Sequence, residues 1–289
     1  MKGLYCEIYS KVFSNIKKGN IDVFLCGGAS TKKKVSYRDS LRVILKETKR
    51  LSILYPEDLF MELLNRKKYD LLTLEKFLAA NSDYIVIVCE SPGSFTELGA
   101  FVNNNDTVDK VIVLLQTKFK NAKSFIRQGP VEYVASKNKR HIIYYNSDVY
   151  EAAENIKRIL LTKSGFSKRA KVSFKDLDVI SGQYNFILLI LYFYKTLSVK
   201  TLVENIKTIY NEKSFSAESF DIIYAAAIRR LFKDGLITKT TFEGGENEYM
   251  LTDKGYDSAL TLLSYVDLKK RTEIFDDIRM KIMYNGGKE

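Results

Sequence analysis

The feature that most constrains the fold is an alternation, over the first 161 residues, of short apolar runs with helical patterns. The runs are apolar throughout, as in strands buried on both faces. Five strands are predicted: Ile21 to Cys26, Ser52 to Tyr55, Asp83 to Glu90, Lys110 to Gln116 and His141 to Tyr145. Helical spacing lies between or after them, at Tyr37 to Leu51, Leu59 to Leu64, Leu71 to Ala80 and Asp148 to Leu161. This order predicts an α/β domain, residues 1–161, with a Rossmann-like parallel sheet covered on both faces.

Three stretches directly follow predicted strands, and the carboxyl ends of parallel strands share one edge of a sheet. These stretches are CGGAS, YPEDLF and ESPGSFTELG. Ligands of open α/β sheets bind outside this edge. Gly27 and Gly28 would let a phosphate or a ribose approach the backbone closely, and Glu57 offers a carboxylate in the second stretch. The sequence therefore predicts a ligand site at this edge.

The third stretch leaves its strand through Pro92 and Gly93, and a helix is predicted to open with Glu97 in its first turn. An acid in a first turn often only stabilises the helix dipole. A carboxylate above a sheet can instead attack an anomeric carbon, where the transition state resembles a cation. Ser94 and Thr96 can cap the helix or offer hydroxyl groups to a sugar. These residues alone indicate a ligand-binding α/β domain of a nucleotide or nucleoside enzyme.

Several other classes of protein function are poorly supported by the sequence. The single histidine, His141, gives little basis for a histidine-activated nucleophile, and neither a P-loop nor a metal-binding motif occurs, so no cofactor or metal is expected. Cys6, Cys26 and Cys89 are widely spaced, which is typical of reduced thiols in a cytoplasmic protein. No run of about 18 apolar residues occurs, and the N-terminal pattern carries charges, so neither a membrane span nor a signal peptide is expected.

The charge distribution favours an acidic partner such as nucleic acid. The formal net charge is +11. Residues 1–150 contain 24 Lys and Arg against 16 Asp and Glu, whereas residues 151–289 contain 22 against 19. Any contact with a polyanion is therefore expected to involve the first half of the chain as well as the second.

The second half is predicted to be a mainly α-helical domain, residues 184–289, after a basic linker at residues 162–183. Its pattern of helices, a strand, a Gly-Gly pair, a second strand and a further helix is typical of a winged helix-turn-helix. Ser219 to Phe232 would be the recognition helix and Thr238 to Tyr249 the wing. The side chains predicted to meet phosphates are Arg229, Arg230, Lys233 and Lys239. Winged helices also bind proteins, and three acids near the wing tip keep that alternative open.

Four blocks between Ile21 and Val131 resemble, in order and spacing, the nucleoside 2-deoxyribosyltransferase-like effectors of type II retron antiphage systems. The blocks are FLCGGAS, YPEDLF, LLTLEKFLAANSDYIVIVCESPGSFTELGAF and SFIRQGPV. More distantly, SPGSFTELG is similar to the glutamate-containing motifs of the lonely-guy phosphoribohydrolases and of the deoxyribosyltransferases. Those enzymes cleave a bond between a base and a ribose.

The resemblance implies roles for individual residues. Glu97 matches the nucleophilic glutamate, and Glu75 lies where the transferases have an acid that handles the proton of the leaving base. Glu75 is a glutamate where that family has an aspartate, so its reach differs. Ser91 falls near another acidic position of the transferases, which leaves the hydrolysis of a larger nucleotide open. Gly27 and Gly28 match the ligand loop, and neighbouring subunits complete each site in the transferases, which implies a homo-oligomer or a larger assembly.

The function implied by the resemblance is that of a cytoplasmic toxin that cleaves the base–ribose bond of a nucleotide, with NAD as the candidate substrate. Its restraint would come from the retron reverse transcriptase and the retron RNA–DNA hybrid (msDNA). Two alternatives stay open. One is a nucleotide-sensing module with a degenerate site, and the other is a winged-helix DNA-binding regulator whose first domain binds a nucleotide without catalysis.

Overall fold

The computed structural model describes residues 2–17, 19–48, 50–55, 70–161, 174–241 and 246–286. The chain divides into two compact units: Asn20–Val172, called here the sheet unit, and Met1–Gly19 together with Ser173–Glu289, called the helical unit. Helix α1 (Lys2–Glu7) therefore packs in the helical unit, although the sequence analysis had included it in the first domain. Within the described ranges, no helix is both long enough and apolar enough to cross a membrane.

The sheet unit contains a five-stranded parallel sheet, which confirms the predicted α/β class. The strands are β1 (Ile21–Cys26), β2 (Leu51–Leu54), β3 (Tyr84–Cys89), β4 (Val111–Gln116) and β5 (Ile142–Tyr145). Their spatial order is β2-β1-β3-β4-β5, and every neighbouring pair is parallel. Each strand lies within one residue of its predicted bounds, because runs of apolar residues between turn signals are strongly specified by local sequence.

The described helices of the sheet unit cover both faces of the sheet. They are α2 (Tyr37–Lys46), α3 (Leu71–Ala80), α4 (Pro92–Val102), α5 (Glu132–Lys137) and α6 (Val149–Leu161). Helices α2 and α6 pack on one face, where Leu41 and Ile156 belong to the same buried cluster. Helix α4 packs on the other face, where the rings of Phe101 and Phe24 lie 5.8 Å apart.

Two of the predicted helices need comment: one ends earlier than predicted, and the other lies where the structure gives no description. Helix α2 ends at Lys46 rather than at Leu51, because Leu51 pairs with Ile21 in the sheet. The helix predicted at Leu59 to Leu64 lies outside the described residues.

The helical unit combines five further helices with a small antiparallel sheet. Its elements are α7 (Ile180–Tyr194), β6 (Thr196–Ser198), α8 (Val199–Glu212), α9 (Ala217–Lys233), β7 (Ile237–Thr241), β8 (Asn247–Leu251), α10 (Asp253–Ser264) and α11 (Arg271–Gly286). The strand order is β6-β8-β7. The sequence analysis did not predict β6 or α11, and α7 begins at Ile180, within the segment that it had assigned to the linker.

The N-terminal segment supplies part of the core of the helical unit. Tyr5 stacks on Tyr194 of α7 with ring centroids 4.9 Å apart. The hydroxyl of Tyr9 donates to both carboxylate oxygens of Asp176 at 2.7 Å. These contacts explain why residues before β1 belong to this unit.

Candidate functional site

The strand order reverses between β1 and β3, which creates the crevice where open α/β sheets bind ligands. The two strands are direct neighbours, and Cys26 at the end of β1 pairs with Ile87 in β3. The stretches CGGAS and ESPGSFTELG therefore meet at one crevice. Glu57, in the stretch YPEDLF, lies outside the described residues.

The glycine loop after β1 is held by Glu90, a residue that the sequence analysis did not single out. Oε1 of Glu90 accepts hydrogen bonds from the backbone N–H groups of Gly28 at 3.2 Å and Arg38 at 3.0 Å. Its Oε2 accepts from the N–H of Tyr37 at 2.9 Å. One carboxylate thus joins the end of β3, the loop after β1 and the start of α2. An acid directly after a buried strand, at the same edge as the glycine pair, was the available signal.

Gly27 is required by this close packing, and Gly28 is tightly enclosed by it. Gly27 has φ +156°, and a Cβ added there would lie 2.8 Å from the Cβ of Arg38. A Cβ at Gly28 would lie 3.2 Å from Cγ of Glu90. The N–H of Gly28 donates to Glu90, so packing gives a structural reason for the glycine pair, and contact of this loop with a ligand stays a prediction.

The first turn of α2 fixes the rest of this loop through Asp39. Ser36 caps the helix by accepting the N–H of Asp39 at 3.1 Å. The carboxylate of Asp39 accepts the N–H of Ser30 at 3.2 Å and the hydroxyl of Tyr55 at 3.1 Å. Burial opposes ionisation of Asp39, but the hydrogen bonds from Ser30 and the charge of Arg38 outweigh it and lower the pKa of Asp39. Asp39 is therefore a structural carboxylate.

Helix α4 begins at Pro92, not at Glu97 as the sequence analysis predicted. The cap is Ser91, whose Oγ accepts the N–H of Ser94 at 3.2 Å. Oγ of Ser94 accepts the N–H of Ser91 at 3.1 Å, which completes a capping box. Pro92 then occupies the first helical position, where its fixed φ is favourable. Cap and proline together start the helix five residues before Glu97.

Because of this early start, Glu97 lies in the second turn of α4, and the first turn contains no acidic residue. The interpretation of Glu97 as a first-turn acid that stabilises the helix dipole is therefore excluded. Its Oε2 atom is shielded from solvent. Burial raises the pKa of the Cys89 thiol to about 12, and the nearby carboxylate of Glu97 adds to the rise. The carboxylate of Glu97 thus lies close to the carboxyl end of β3.

Two carboxylates, Glu90 and Glu97, flank the end of β3 on opposite faces. Successive side chains of a strand point to opposite faces, so Cys89 faces α4 while Glu90 faces α2. Glu90 is occupied by three backbone N–H groups of the α2 side. Glu97 is the carboxylate of the α4 side.

The other residues predicted to bind substrate surround the start of α4. Ser94 is only 1% exposed, and its hydroxyl is engaged in the cap. Gly93 and Thr96 are exposed, and Oγ1 of Thr96 donates to the carbonyl of Pro92 at 3.1 Å. Glu75 is half-buried in the middle of α3. The right-handed connection expected between β2 and β3 puts α3 on the same face as α4, and hence Glu75 on the face that carries Glu97.

His141 lies at the opposite edge of the sheet, beside the amino ends of β4 and β5. Its Nδ1 is 2.9 Å from the carbonyl oxygen of Val111. Burial lowers the pKa of His141. The imidazole is therefore a neutral core group away from the crevice.

In the helical unit, the four predicted phosphate contacts differ in exposure. Nε of Arg230 lies 3.5 Å from Oδ2 of Asp234, and its guanidinium lies 4.5 Å from the ring centroid of Tyr184. Arg229 is also half-buried. The exposed cations of the set are Lys233, at the end of α9, and Lys239, in β7.

The sheet unit is thus an open parallel α/β domain with two carboxylates, Glu90 and Glu97, at the end of β3 beside its topological switch point, where sheets of this class bind ligands. The chain belongs to the STM3845 retron effector protein family, whose family model matches residues 34–239. A relative from Escherichia coli, named "Retron Ec86 putative ribosyltransferase/DNA-binding protein", is 32% identical over 282 residues, which cover 93% of this chain and 85% of the relative. The Retron Ec73 protein of Escherichia coli, with the same description, is 40% identical over 91 residues, which cover 31% of this chain and 28% of the relative.

Proposed function

We propose that this retron effector cleaves the N-glycosidic bond between the base and the ribose of a nucleotide, with Glu97 as the nucleophile. The observation that carries the proposal is the position of Glu97: it lies in the second turn of α4, at the switch point, with Oε2 shielded from solvent. The helix dipole gives no reason for a glutamate there. The description of two relatives as ribosyltransferases supports the same chemistry.

In the proposed reaction, the carboxylate of Glu97 attacks C1′ of the ribose while the bond from C1′ to the base nitrogen breaks. The products of this step are a ribosyl ester on Glu97 and the free base. Attack of water on the ester completes hydrolysis, whereas attack by another acceptor completes transfer. For a base that would leave as an anion, we assign proton transfer to that base to Glu75; neutral nicotinamide needs none. We assign contact with the ribose to Ser91, Gly93 and Thr96.

NAD is the proposed substrate, and the proposed outcome is toxicity. The nicotinamide of NAD leaves as a neutral base, which makes it a good leaving group. The loss of NAD stops metabolism. Restraint by the retron reverse transcriptase and msDNA would keep the effector inactive before infection. As in the enzymes whose motifs it resembles, the active form is proposed to be a homo-oligomer or a larger assembly.

The helical unit is proposed to be a winged-helix domain that contacts DNA. The order of its elements from α7 to β8, with the strand arrangement β6-β8-β7, supports a winged helix. The names of the two relatives include DNA binding. The proposed phosphate contacts are the exposed Lys233 and Lys239.

The test is to incubate the purified protein with NAD, nucleosides and nucleoside monophosphates and to measure the free base by chromatography. Glu97→Gln keeps the size of the side chain and removes its charge, so release should fall by several powers of ten. Glu47→Gln, at an exposed position after α2, is the matched control and should retain the wild-type rate.

Two results would contradict the proposal. A folded Glu97→Gln variant with the wild-type rate would remove Glu97 as the nucleophile. Binding of a nucleotide by the wild-type protein without release of base from any substrate would favour the nucleotide-sensing regulator instead.

A further inference from the structure

The segment after β4, residues 117–140, combines positive charge with exposed aromatic rings. It contains seven Lys and Arg and a single acid, Glu132. Three of its aromatic side chains remain accessible: Phe119 is 39% exposed, Phe125 is 84% exposed and Tyr133 is 45% exposed. An apolar ring with so much exposed surface, among cations, is unusual for a region that only packs.

The first half of this segment is a closed loop, so its rings have defined positions. Nε of Arg127 donates to the carbonyl of Lys120 at 3.1 Å and closes a loop of eight residues. The same guanidinium bonds through Nη1 to Oε2 of Glu132 at 2.6 Å. Phe125 lies within this loop, and Phe119 directly precedes it.

Gly129 supports the most exposed ring. A Cβ added at Gly129 would lie 3.5 Å from two ring carbons of Phe125. The ring therefore lies beside Gly129, within the short helical segment Arg127–Val131, while most of its surface remains exposed. This gives a structural role to the block SFIRQGPV, for which the sequence pattern alone offers none.

Cations and rings alternate within the segment. The Nζ atom of Lys118 lies 4.9 Å from the centroid of Phe119, and that of Lys137 lies 5.5 Å from the centroid of Tyr133. The Nζ atom of Lys120 lies 5.4 Å from the centroid of Tyr144, in β5. Single-stranded nucleic acid needs this combination, because its bases stack on aromatic rings while its phosphates meet cations. A duplex hides the base faces and would use only the charges.

We propose that residues 117–140, called here the basic–aromatic loop, bind single-stranded nucleic acid. This inference goes beyond the proposed function, because it assigns a nucleic-acid surface to the sheet unit and does not depend on catalysis by Glu97. The loop begins at the carboxyl end of β4, the neighbour of β3. A bound strand would therefore lie along the sheet edge that also carries the crevice.

The test measures fluorescence anisotropy of labelled 20-nucleotide poly(dT), a 20-nucleotide single-stranded RNA and a 20-base-pair duplex. The double variant Phe119→Ala with Phe125→Ala should bind single strands about tenfold more weakly for each ring that stacks on a base. Its affinity for the duplex should stay near the wild-type value. Phe119→Tyr with Phe125→Tyr keeps both rings and should restore single-strand binding.

The charges are tested separately. Lys118→Ala with Lys120→Ala should lower the slope of log K against log salt by about 1.4 units on single strands, since each phosphate contact contributes about 0.7. Lys76→Ala removes an exposed cation from α3 of the same unit and should leave the affinity unchanged.

Three results would overturn the proposal. The first is unchanged single-strand affinity after loss of both phenylalanines, and the second is an equal loss on single strands and duplex. The third concerns vesicles of phosphatidylserine and phosphatidylcholine. If the double alanine variant binds single strands like the wild type but no longer binds these vesicles, the basic–aromatic loop is a membrane-contact surface instead. Release of base from NAD without nucleic acid is measured alongside, so that failure of this proposal is distinguishable from failure of the proposed catalysis.

Discussion

At the scale of single residues, neighbouring carboxylates at one strand end have different surroundings. Glu90 accepts three backbone hydrogen bonds and joins separate parts of the chain. Glu97 lies on the opposite face of the sheet, close to Cys89, and is not part of the cap of α4. Residue type alone does not distinguish them, because the difference comes from the groups that face each carboxylate.

Glu90→Gln should lower the free energy of unfolding of the sheet unit by about 1–3 kcal/mol. The amide nitrogen cannot accept a hydrogen bond, so at least one backbone N–H of the loop or of α2 loses its partner. Urea unfolding followed by circular dichroism measures the change. Glu47→Gln, exposed after α2, provides a glutamate-to-glutamine comparison and should show a smaller effect. A midpoint equal to that of the wild type would show that these bonds contribute little to stability.

If Glu75 protonates the leaving base, Glu75→Gln should lower the rate of base release by different factors for different substrates. Nicotinamide leaves NAD as a neutral molecule and needs no proton, whereas the base of an ordinary nucleoside leaves as an anion unless it is protonated. We expect release from nucleosides to fall 10²- to 10⁴-fold, the usual contribution of a general acid, and release from NAD to change much less. Equal losses on both substrates would assign Glu75 to structure or binding instead.

At the scale of elements, the ends of helices decide which side chains are available. The capping box at Ser91 starts α4 early and moves Glu97 into the second turn. In α9, the ion pair with Asp234 and the ring of Tyr184 hold Arg230 against its own unit. The exposed residues of the first half of α9 include Glu218 and Asp221, so the exposed cations among the predicted phosphate contacts lie at its end and in β7.

Lys233→Ala with Lys239→Ala should weaken binding to duplex DNA similarly for all sequences, because phosphate contacts carry no base information. If both lysines meet phosphates, the slope of log K against log salt should fall by about 1.8 units. Titrations at several salt concentrations with two unrelated duplexes measure both quantities.

Arg230→Ala serves as the comparison for these lysines. Its loss should mainly destabilise the helical unit, since the side chain contacts Asp234 and Tyr184. An unchanged affinity and slope in the double lysine variant would favour protein contacts for the winged helix.

At the scale of the whole molecule, the chain builds its units from segments that are not continuous in sequence. The helical unit begins with residues 1–19 and resumes at Ser173, and the sheet unit lies between them in the chain. A fragment that started at Ser173 would lack Tyr5 and Tyr9, which pack in the core of the helical unit.

Tyr5→Ala tests this assignment. Tyr5 is 1% exposed and stacks on Tyr194, so its truncation should destabilise the helical unit by about 3–5 kcal/mol. Limited proteolysis should then cut first within residues 174–286, and release of base by the sheet unit should persist. Cleavage confined to residues 70–161, with loss of base release, would place Tyr5 in the sheet unit.

The sequence by itself determined the five parallel strands and the meeting of the glycine loop with the Glu97 stretch at one edge. It did so because apolar runs and turn residues act locally, and because parallel strands must align their carboxyl ends. It did not indicate that the residues before β1 join the helical unit.

Tertiary structure alone decided that α1 joins the helical unit, that Glu90 holds three backbone N–H groups, and that Arg230 turns toward Tyr184. Each depends on a partner far away in sequence: Tyr5 and Tyr194, Glu90 and Gly28, Arg230 and Tyr184. The free energy of such contacts depends on burial and on the geometry of both partners, and neither exists until the chain has folded.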